Sequence, residues 1–158
     1  KIMDLKQLYQ DIILDHGKSP RNLGKCKGYS HEAKGYNPLC GDRVHVYLKL
    51  DTAKKVENLT FEGDGCAISL ASASIMTELV KGRSVNDVKE IMSAFLNMIK
   101  NTSEMKSNHL DEDQKTKIMS LSGVKQFPMR VKCATLSWHT LNSAMEEKKE
   151  EVNTEVID

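Results

Sequence analysis

Three of the four cysteines in this chain share one kind of local sequence. Cys40 lies in the turn-forming stretch N-P-L-C-G-D, Cys66 follows E-G-D-G just before a helical pattern, and Cys133 ends the run Q-F-P-M-R-V-K-C. Each is expected where irregular or extended backbone gives way to a helix. The helix dipole at Cys66, and the adjacent Lys132 at Cys133, would lower the pKa of the thiol and favour the reactive, metal-binding thiolate.

Asp42 follows Cys40 by two residues and can complete a set of four ligands with the three thiols. Three thiolates and one carboxylate suit a tetrahedral zinc ion, and soft thiolates also suit an iron–sulfur cluster. A carboxylate in place of a fourth thiolate gives a more exchangeable ligand set, which favours a reactive or transient centre. Spacing alone leaves open that the three thiols are unrelated and buried. Cys26, in a lysine-rich loop, is expected to be an accessory thiol.

Composition and charge exclude several classes of protein. A length of 158 residues with 39% hydrophobic and 28% charged residues is typical of one globular domain. The formal net charge of +1 lacks the basic excess of a nucleic-acid-binding protein. No apolar run approaches the ~18 residues of a membrane helix, and the charged start does not resemble a signal peptide. We therefore expect a cytoplasmic protein whose partners include neither nucleic acid nor membrane.

Alternating hydrophobicity predicts a small antiparallel sheet. Val44 to Leu50 alternates without a break, which indicates a half-buried strand, and Val56 to Phe61 is its expected hairpin partner. Because a two-stranded hairpin is only marginally stable, a third strand is expected at Tyr29 to Tyr36.

Helical periodicity accounts for most of the remaining chain. Helices are predicted near residues 5–17, 67–81, 84–100 and 111–123, and from Ala134 onward. The segment around Pro128 is predicted to be extended. These elements indicate an α+β fold, a small antiparallel three-stranded sheet covered by about five helices. Residues 1–145 are expected to form a single domain, and the acidic tail 146–158 to be a frayed helix end.

The motifs around the cysteines occur together and in a fixed order. The stretch L-Y-Q-D-I-I-L-D-H-G-K-S-P-R-N-L-G at 8–24 is followed by N-P-L-C-G-D at 37–42, G-x-G-C-A-I-S-x-A-S-A-S at 63–74 and F-P-x-R-V-K-C-A-T-L-x-W at 127–138. This resembles the U-type iron–sulfur cluster assembly proteins, the IscU/SufU family, over about residues 4–145. The resemblance implies a SufE/NifU-like fold. Lys132, where IscU-type proteins carry a histidine, and the long interval between Cys66 and Cys133 favour the SufU branch.

The resemblance also assigns roles to individual residues. Cys40, Asp42, Cys66 and Cys133 match the family's zinc ligands, and Cys40 matches the thiol that accepts sulfur from a PLP-dependent cysteine desulfurase of the SufS/IscS kind. In that role Cys40 leaves the zinc ion and attacks the partner's persulfide. Arg130 and Lys132 match an auxiliary segment that would serve docking or charge balance.

Three functional hypotheses follow from these assignments. The first is a zinc-binding sulfur acceptor, a sulfurtransferase-like persulfide carrier that stimulates the desulfurase. The second is a scaffold on which a transient [2Fe–2S] cluster is assembled for downstream machinery or apo-proteins. The third is a protein in which zinc only stabilises the fold.

Overall fold

The structure is a computed structural model that describes residues 4–101 and 105–157. The ends of the predicted domain and tail, residues 1–3 and 158, lie outside these ranges. The described part of the chain contains five α-helices and four β-strands. In chain order they are α1 (Leu5–Lys18), β1 (His31–Asn37), β2 (Asp42–Leu50), β3 (Val56–Asp64), α2 (Ala67–Val80), α3 (Val85–Lys100), α4 (Glu112–Met119), α5 (Pro128–Met145) and β4 (Val152–Asn153), with a 3-10 helix (Ser120–Gln126) between α4 and α5.

The sheet has the strand order β3-β2-β1-β4. The predicted hairpin of β2 and β3 and the predicted third strand, β1, are present, and these three strands are antiparallel. The prediction of three strands was wrong by one, because β4 pairs in parallel with β1, with Val152 opposite Gly35. A strand of two residues is too short to produce an alternating pattern, so the sequence carried no sign of it.

The acidic tail does not continue α5 as a frayed end. Glu147 adopts a left-handed backbone conformation with a φ of 56°. The amide of Lys148 donates to the carbonyl of Ser143 and that of Glu147 to Ala144. This pair of bonds is the Schellman arrangement that terminates helices. The chain therefore turns back at residue 147 and returns to the sheet as β4.

Helix α5 lies across the sheet and against α2. Trp138 is fully buried, its ring stacks on Phe95 with centroids 4.7 Å apart, and its Nε1 donates to the Ser72 hydroxyl. Ser72 in turn donates to the carbonyl of Ala134. The run of alanine and serine in α2 thus allows α2 and α5 to approach each other.

The start of α5 differs from the prediction. Residues around Pro128 were predicted to be extended, but the helix begins at Pro128 itself, with Phe127 as its N-cap. Proline is favourable at the first helical position because an N–H group there would have no acceptor within the helix, so nothing is lost without it. The φ angle of proline is also already helical. Cys133 consequently lies inside the helix rather than at its boundary.

The other helices begin within one residue of their predicted starts, but α4, predicted to end near residue 123, ends at Met119 and continues as the 3-10 helix. The Ser84 hydroxyl caps α3 by accepting from the amide of Asp87, and Asp111 and Gln114 form a capping box at the start of α4. None of the helices in residues 4–101 and 105–157 combines the length and apolar character needed to cross a bilayer.

Gly35 provides a test of how closely α5 packs on β1. A Cβ atom at this position would lie 2.2 Å from the Thr140 hydroxyl oxygen and 2.9 Å from Leu136 Cδ1. Gly35→Ala should therefore lower the free energy of unfolding by about 1–3 kcal/mol, as overpacking does. Chemical denaturation measures the change. In the matched control Gly123→Ala nothing lies within 4 Å of the added atom, and a change below about 0.5 kcal/mol is expected. Wild-type stability of Gly35→Ala would contradict the packing.

Candidate metal centre

The turn between β1 and β2 brings Cys40 and Asp42 to one end of the sheet. Asn37 ends β1 and pairs with Asp42, which begins β2, so the intervening residues 38–41 form a tight connection. Gly41 permits this tight connection because it adopts a left-handed backbone conformation, with a φ of 70°. Asp42 is fully buried, whereas Cys40 is half-buried on the turn.

The end of β3 brings Cys66 to the same place. Asp64 is paired with Arg43, so the chain leaving β3 passes beside Asp42. Gly65, with a φ of 140°, makes the approach possible, since a Cβ there would lie 2.2 Å from Asp42 Oδ1. Cys66 is the N-cap of α2, and its backbone amide donates to Asp42 Oδ1 over 2.9 Å.

Helix α5 supplies the third cysteine from above the sheet. Cys133 is fully buried, and its Sγ atom lies 3.2 Å from Cys40 Sγ. The ligand atoms of Cys40, Asp42 and Cys133 all lie within 4.8 Å of one another. Cys66 lies beside this group: its backbone amide is bonded to Asp42, and its thiol is close enough to that of Cys133 for the two to affect each other's pKa. Three of the four predicted ligands are thus clustered, and the fourth contacts the cluster.

Asn37 is a buried member of the site that the sequence analysis did not single out. Its Nδ2 group donates to Asp42 Oδ2 over 3.0 Å and to Cys133 Sγ over 3.4 Å. Asn37 opens the N-P-L-C-G-D motif, which was the available signal. The motif predicts a turn, and a turn accounts for an asparagine at this position by itself. The hydrogen bonds of the Asn37 side chain become apparent only when α5 is packed above it.

The two predicted auxiliary residues lie on the first turns of α5. Arg130 is exposed, three residues before Cys133. Lys132 is half-buried and forms an ion pair with Glu155, with Nζ 3.0 Å from Oε2. The lysine therefore contacts the C-terminal segment, residues 146–157.

Thiol ionisation differs sharply between Cys66 and Cys133. The pKa of Cys66 is lowered to about 6, first by the hydrogen bond from Cys133 and further by the backbone amides of Ser69 and Ile68 at the start of α2. The pKa of Cys133 is raised, because its thiol proton bonds Cys66 and because the group is buried. The predicted lowering of the thiol pKa is confirmed for Cys66. The same prediction was wrong for Cys133, which lies inside a helix and not at its N-terminus.

The donor set suits a zinc ion. Ligand atoms about 2.0–2.3 Å from a tetrahedral zinc ion are about 3.3–3.8 Å apart. The sulfur atoms of Cys40 and Cys133 are 3.2 Å apart, and the ligand atoms of Cys40, Asp42 and Cys133 all lie within 4.8 Å of one another. Thiolates and a carboxylate packed this closely repel one another, so a divalent cation would relieve the repulsion. The residues present therefore fit the metal that the sequence suggested.

Two other groups of potential ligands do not join the site. Asp87, Glu90 and His109 form a second cluster of close ligand atoms, but its partly exposed members already pair with one another. Cys26, the expected accessory thiol, is buried and accepts a hydrogen bond from Asn58 Nδ2 over 3.4 Å.

Known proteins resemble this chain over most of its length. The family described as "NifU-like N terminal domain" matches residues 8–151. The zinc-dependent sulfurtransferase SufU of Bacillus subtilis is 40% identical, over 90% of this chain and 92% of its own. The iron–sulfur cluster assembly scaffold protein IscU of Streptococcus pyogenes is 35% identical, over 89% and 84%. The crystal structure of a putative scaffold protein for the SUF system from Fervidobacterium islandicum has a TM-score of 0.77 at 35% identity, covering 88% of this chain and 97% of that one.

The depressed pKa of Cys66 predicts its reactivity in the metal-free protein. Because the thiolate is the nucleophile, alkylation of Cys66 by iodoacetamide should rise with pH through about 6, well below the ordinary value of 9.0. Cys133→Ala removes the hydrogen bond that contributes most, so the midpoint should move upward. Peptide mass mapping across a pH series measures both.

The matched control for this experiment is Cys26→Ala, which removes a buried thiol elsewhere and should leave the midpoint at Cys66 unchanged. A wild-type midpoint near 9, or one that does not move in Cys133→Ala, would contradict the described geometry.

Proposed function

The chain belongs to the family of NifU-like N-terminal domains, and from this membership and the geometry of the site we propose that it is a zinc-binding sulfur acceptor in iron–sulfur cluster assembly. Cys40, Asp42, Cys66 and Cys133 would hold the ion. Bound zinc would keep the thiols deprotonated and protect them from oxidation. The partner would be a PLP-dependent cysteine desulfurase, which the chain would stimulate by removing sulfur from it.

The position of Cys40 is the observation that carries this proposal. Asp42 and Cys133 are buried in β2 and α5, and Cys66, although half-buried, is held as the N-cap of α2 by the bond from its amide to Asp42. Cys40 is half-buried on the turn beside Leu39, which is 48% exposed. A turn can rearrange without disturbing the sheet or the helix. Cys40 is therefore the thiol of this cluster best placed to reach a partner's active site while the other groups stay in position.

The chemical step is thiol exchange. The Cys40 thiolate attacks the outer sulfur of the partner's cysteine persulfide, and a new S–S bond forms as the partner's S–S bond breaks. The partner's cysteine leaves as a thiolate with the bonding electron pair, so no external oxidant or reductant is needed. Downstream assembly machinery or an apo-protein would then receive the sulfur from Cys40.

Two further observations support sulfur transfer. The Bacillus subtilis relative is named a zinc-dependent sulfurtransferase. Lys132 occupies the position before Cys133 where IscU-type proteins carry a histidine. Its side chain is paired with Glu155, so no histidine is available at this position as a further ligand. Arg130, exposed on the same helix, is proposed to meet the partner's surface.

A cluster scaffold is the second candidate function. Relatives from Streptococcus pyogenes and Thermotoga maritima, 35% and 34% identical, are named assembly scaffold proteins. Three thiols and a carboxylate could also bind a transient [2Fe–2S] cluster. A purely structural zinc site has less support, since a closed structural site typically uses four cysteine or histidine ligands.

Sulfur acceptance can be measured directly. The protein is incubated with an active cysteine desulfurase, PLP and cysteine in the absence of iron, and its intact mass is recorded. Wild type should gain one sulfur atom, mapped to Cys40, and Cys40→Ser should gain none while circular dichroism shows that it remains folded. A Cys26→Ala control should accept sulfur as wild type does.

Each other result has a definite meaning. Sulfur acceptance by Cys40→Ser would exclude Cys40 as the acceptor. A wild-type protein that gains no sulfur from a desulfurase shown to be active would favour the scaffold function.

A further inference from the structure

The C-terminal segment returns to the sheet next to the metal centre. Val152 and Asn153 pair with Gly35 and Tyr36 of β1, and the amide of Thr154 donates to the carbonyl of Tyr36 over 3.1 Å. Because β4 runs parallel to β1, the residue after Asn153 is brought level with the end of β1, where Asn37 lies. Thr154 is outside the region that matches the family, which ends at residue 151.

Thr154 makes a buried hydrogen bond to Asn37. The threonine is 2% exposed and Asn37 is fully buried, and the threonine hydroxyl donates to Asn37 Oδ1 over 2.8 Å. The opposite end of the same amide donates to Asp42 and Cys133. Three hydrogen bonds thus connect the C-terminal segment to two of the proposed zinc ligands.

The planar amide makes this connection directional. The Asp42 carboxylate can only accept hydrogen bonds, so Nδ2 must face it and the adjacent Cys133, and Oδ1 then faces Thr154. Without the hydroxyl, Oδ1 is a buried acceptor without this donor, and the amide is free to tilt. A tilt moves both Nδ2 hydrogen atoms away from the ligand atoms.

We propose that Thr154 is a positioning residue of the metal centre: by holding the Asn37 amide it sets the orientation of Asp42 and Cys133, so the C-terminal segment is a working part of the site. The proposal rests on the proposed function only in taking these residues as metal ligands. The Lys132–Glu155 ion pair holds the segment at the adjacent residue. Hydrogen bonds to metal ligands from such supporting residues commonly tune metal affinity.

Thermodynamic linkage gives the proposal a second consequence. If docking of the segment strengthens metal binding, metal binding must strengthen docking by the same factor. Zinc should therefore slow hydrogen exchange at the amide of Thr154, which is bonded to Tyr36 in the docked segment. This effect can be observed in the unmodified chain, without any variant.

The test compares Thr154→Val with Thr154→Ser. Valine preserves the shape but removes the hydroxyl, so zinc affinity, measured by competition with a chromophoric chelator, should fall about three- to tenfold. Serine retains the hydroxyl and should restore affinity to within about twofold. Cobalt(II) as a spectroscopic probe should show altered visible bands in the valine variant, because these bands report ligand geometry rather than overall stability.

The outcomes separate this inference from the proposed function. Equal zinc affinity and identical cobalt spectra in wild type and Thr154→Val would overturn it, as would Thr154 hydrogen exchange that zinc does not change. If Thr154→Val does not fold, the exchange measurement on wild type decides alone. A wild type that binds no zinc would overturn both proposals, whereas zinc binding without sulfur acceptance would refute only the sulfur-acceptor function.

Discussion

The carboxylate of Asp42 is completely buried, and this imposes the main constraint on the structure. A buried carboxylate is unfavourable unless donors replace the water it has lost. Here the donors are the side-chain amide of Asn37 and the backbone amide of Cys66. The first comes from the end of β1 and the second from the start of α2, so the register of the sheet and the exit from β3 must both be correct. The constraint also accounts for Gly65, since any side chain there would collide with the carboxylate.

The same crowding determines which groups can be charged at once. Cys66 is stabilised as a thiolate first by the thiol of Cys133 and further by the backbone amides at the start of α2, whereas Cys133 keeps its proton in a buried position. The metal-free site therefore limits its negative charge by retaining a proton. A divalent cation would remove the need for that proton, so metal binding is expected to release it. The helix terminus and the buried carboxylate would both favour the cation that we propose for this site.

Much of the fold could be predicted from the sequence, because its main elements are long and periodic. The strand at Val44 to Leu50 and the helix predicted near residues 84–100 have purely local causes, and both are found as predicted. Pro128 was misinterpreted because proline is compatible with both extended backbone and a helix start, and only packing of α5 on the sheet decides between them. The strand at Val152 and the function of Asn37 depend on contacts between residues distant in sequence. Local patterns contain no information about such contacts.

The hydrogen bonds also show how the site can lose one thiol and keep its shape. Asp42 is bonded to Asn37 and Cys66, and Cys133 is bonded to Asn37, all without the participation of Cys40. Cys40 instead touches the cluster through its sulfur atom, from a turn at the surface. Departure of Cys40 would therefore leave the remaining groups connected, and its return would find them in place. A zinc site that only stabilised the fold would gain nothing from having one ligand outside the hydrogen-bond network of the others. The proposed alternation of Cys40 between a metal and a partner protein would depend on that arrangement.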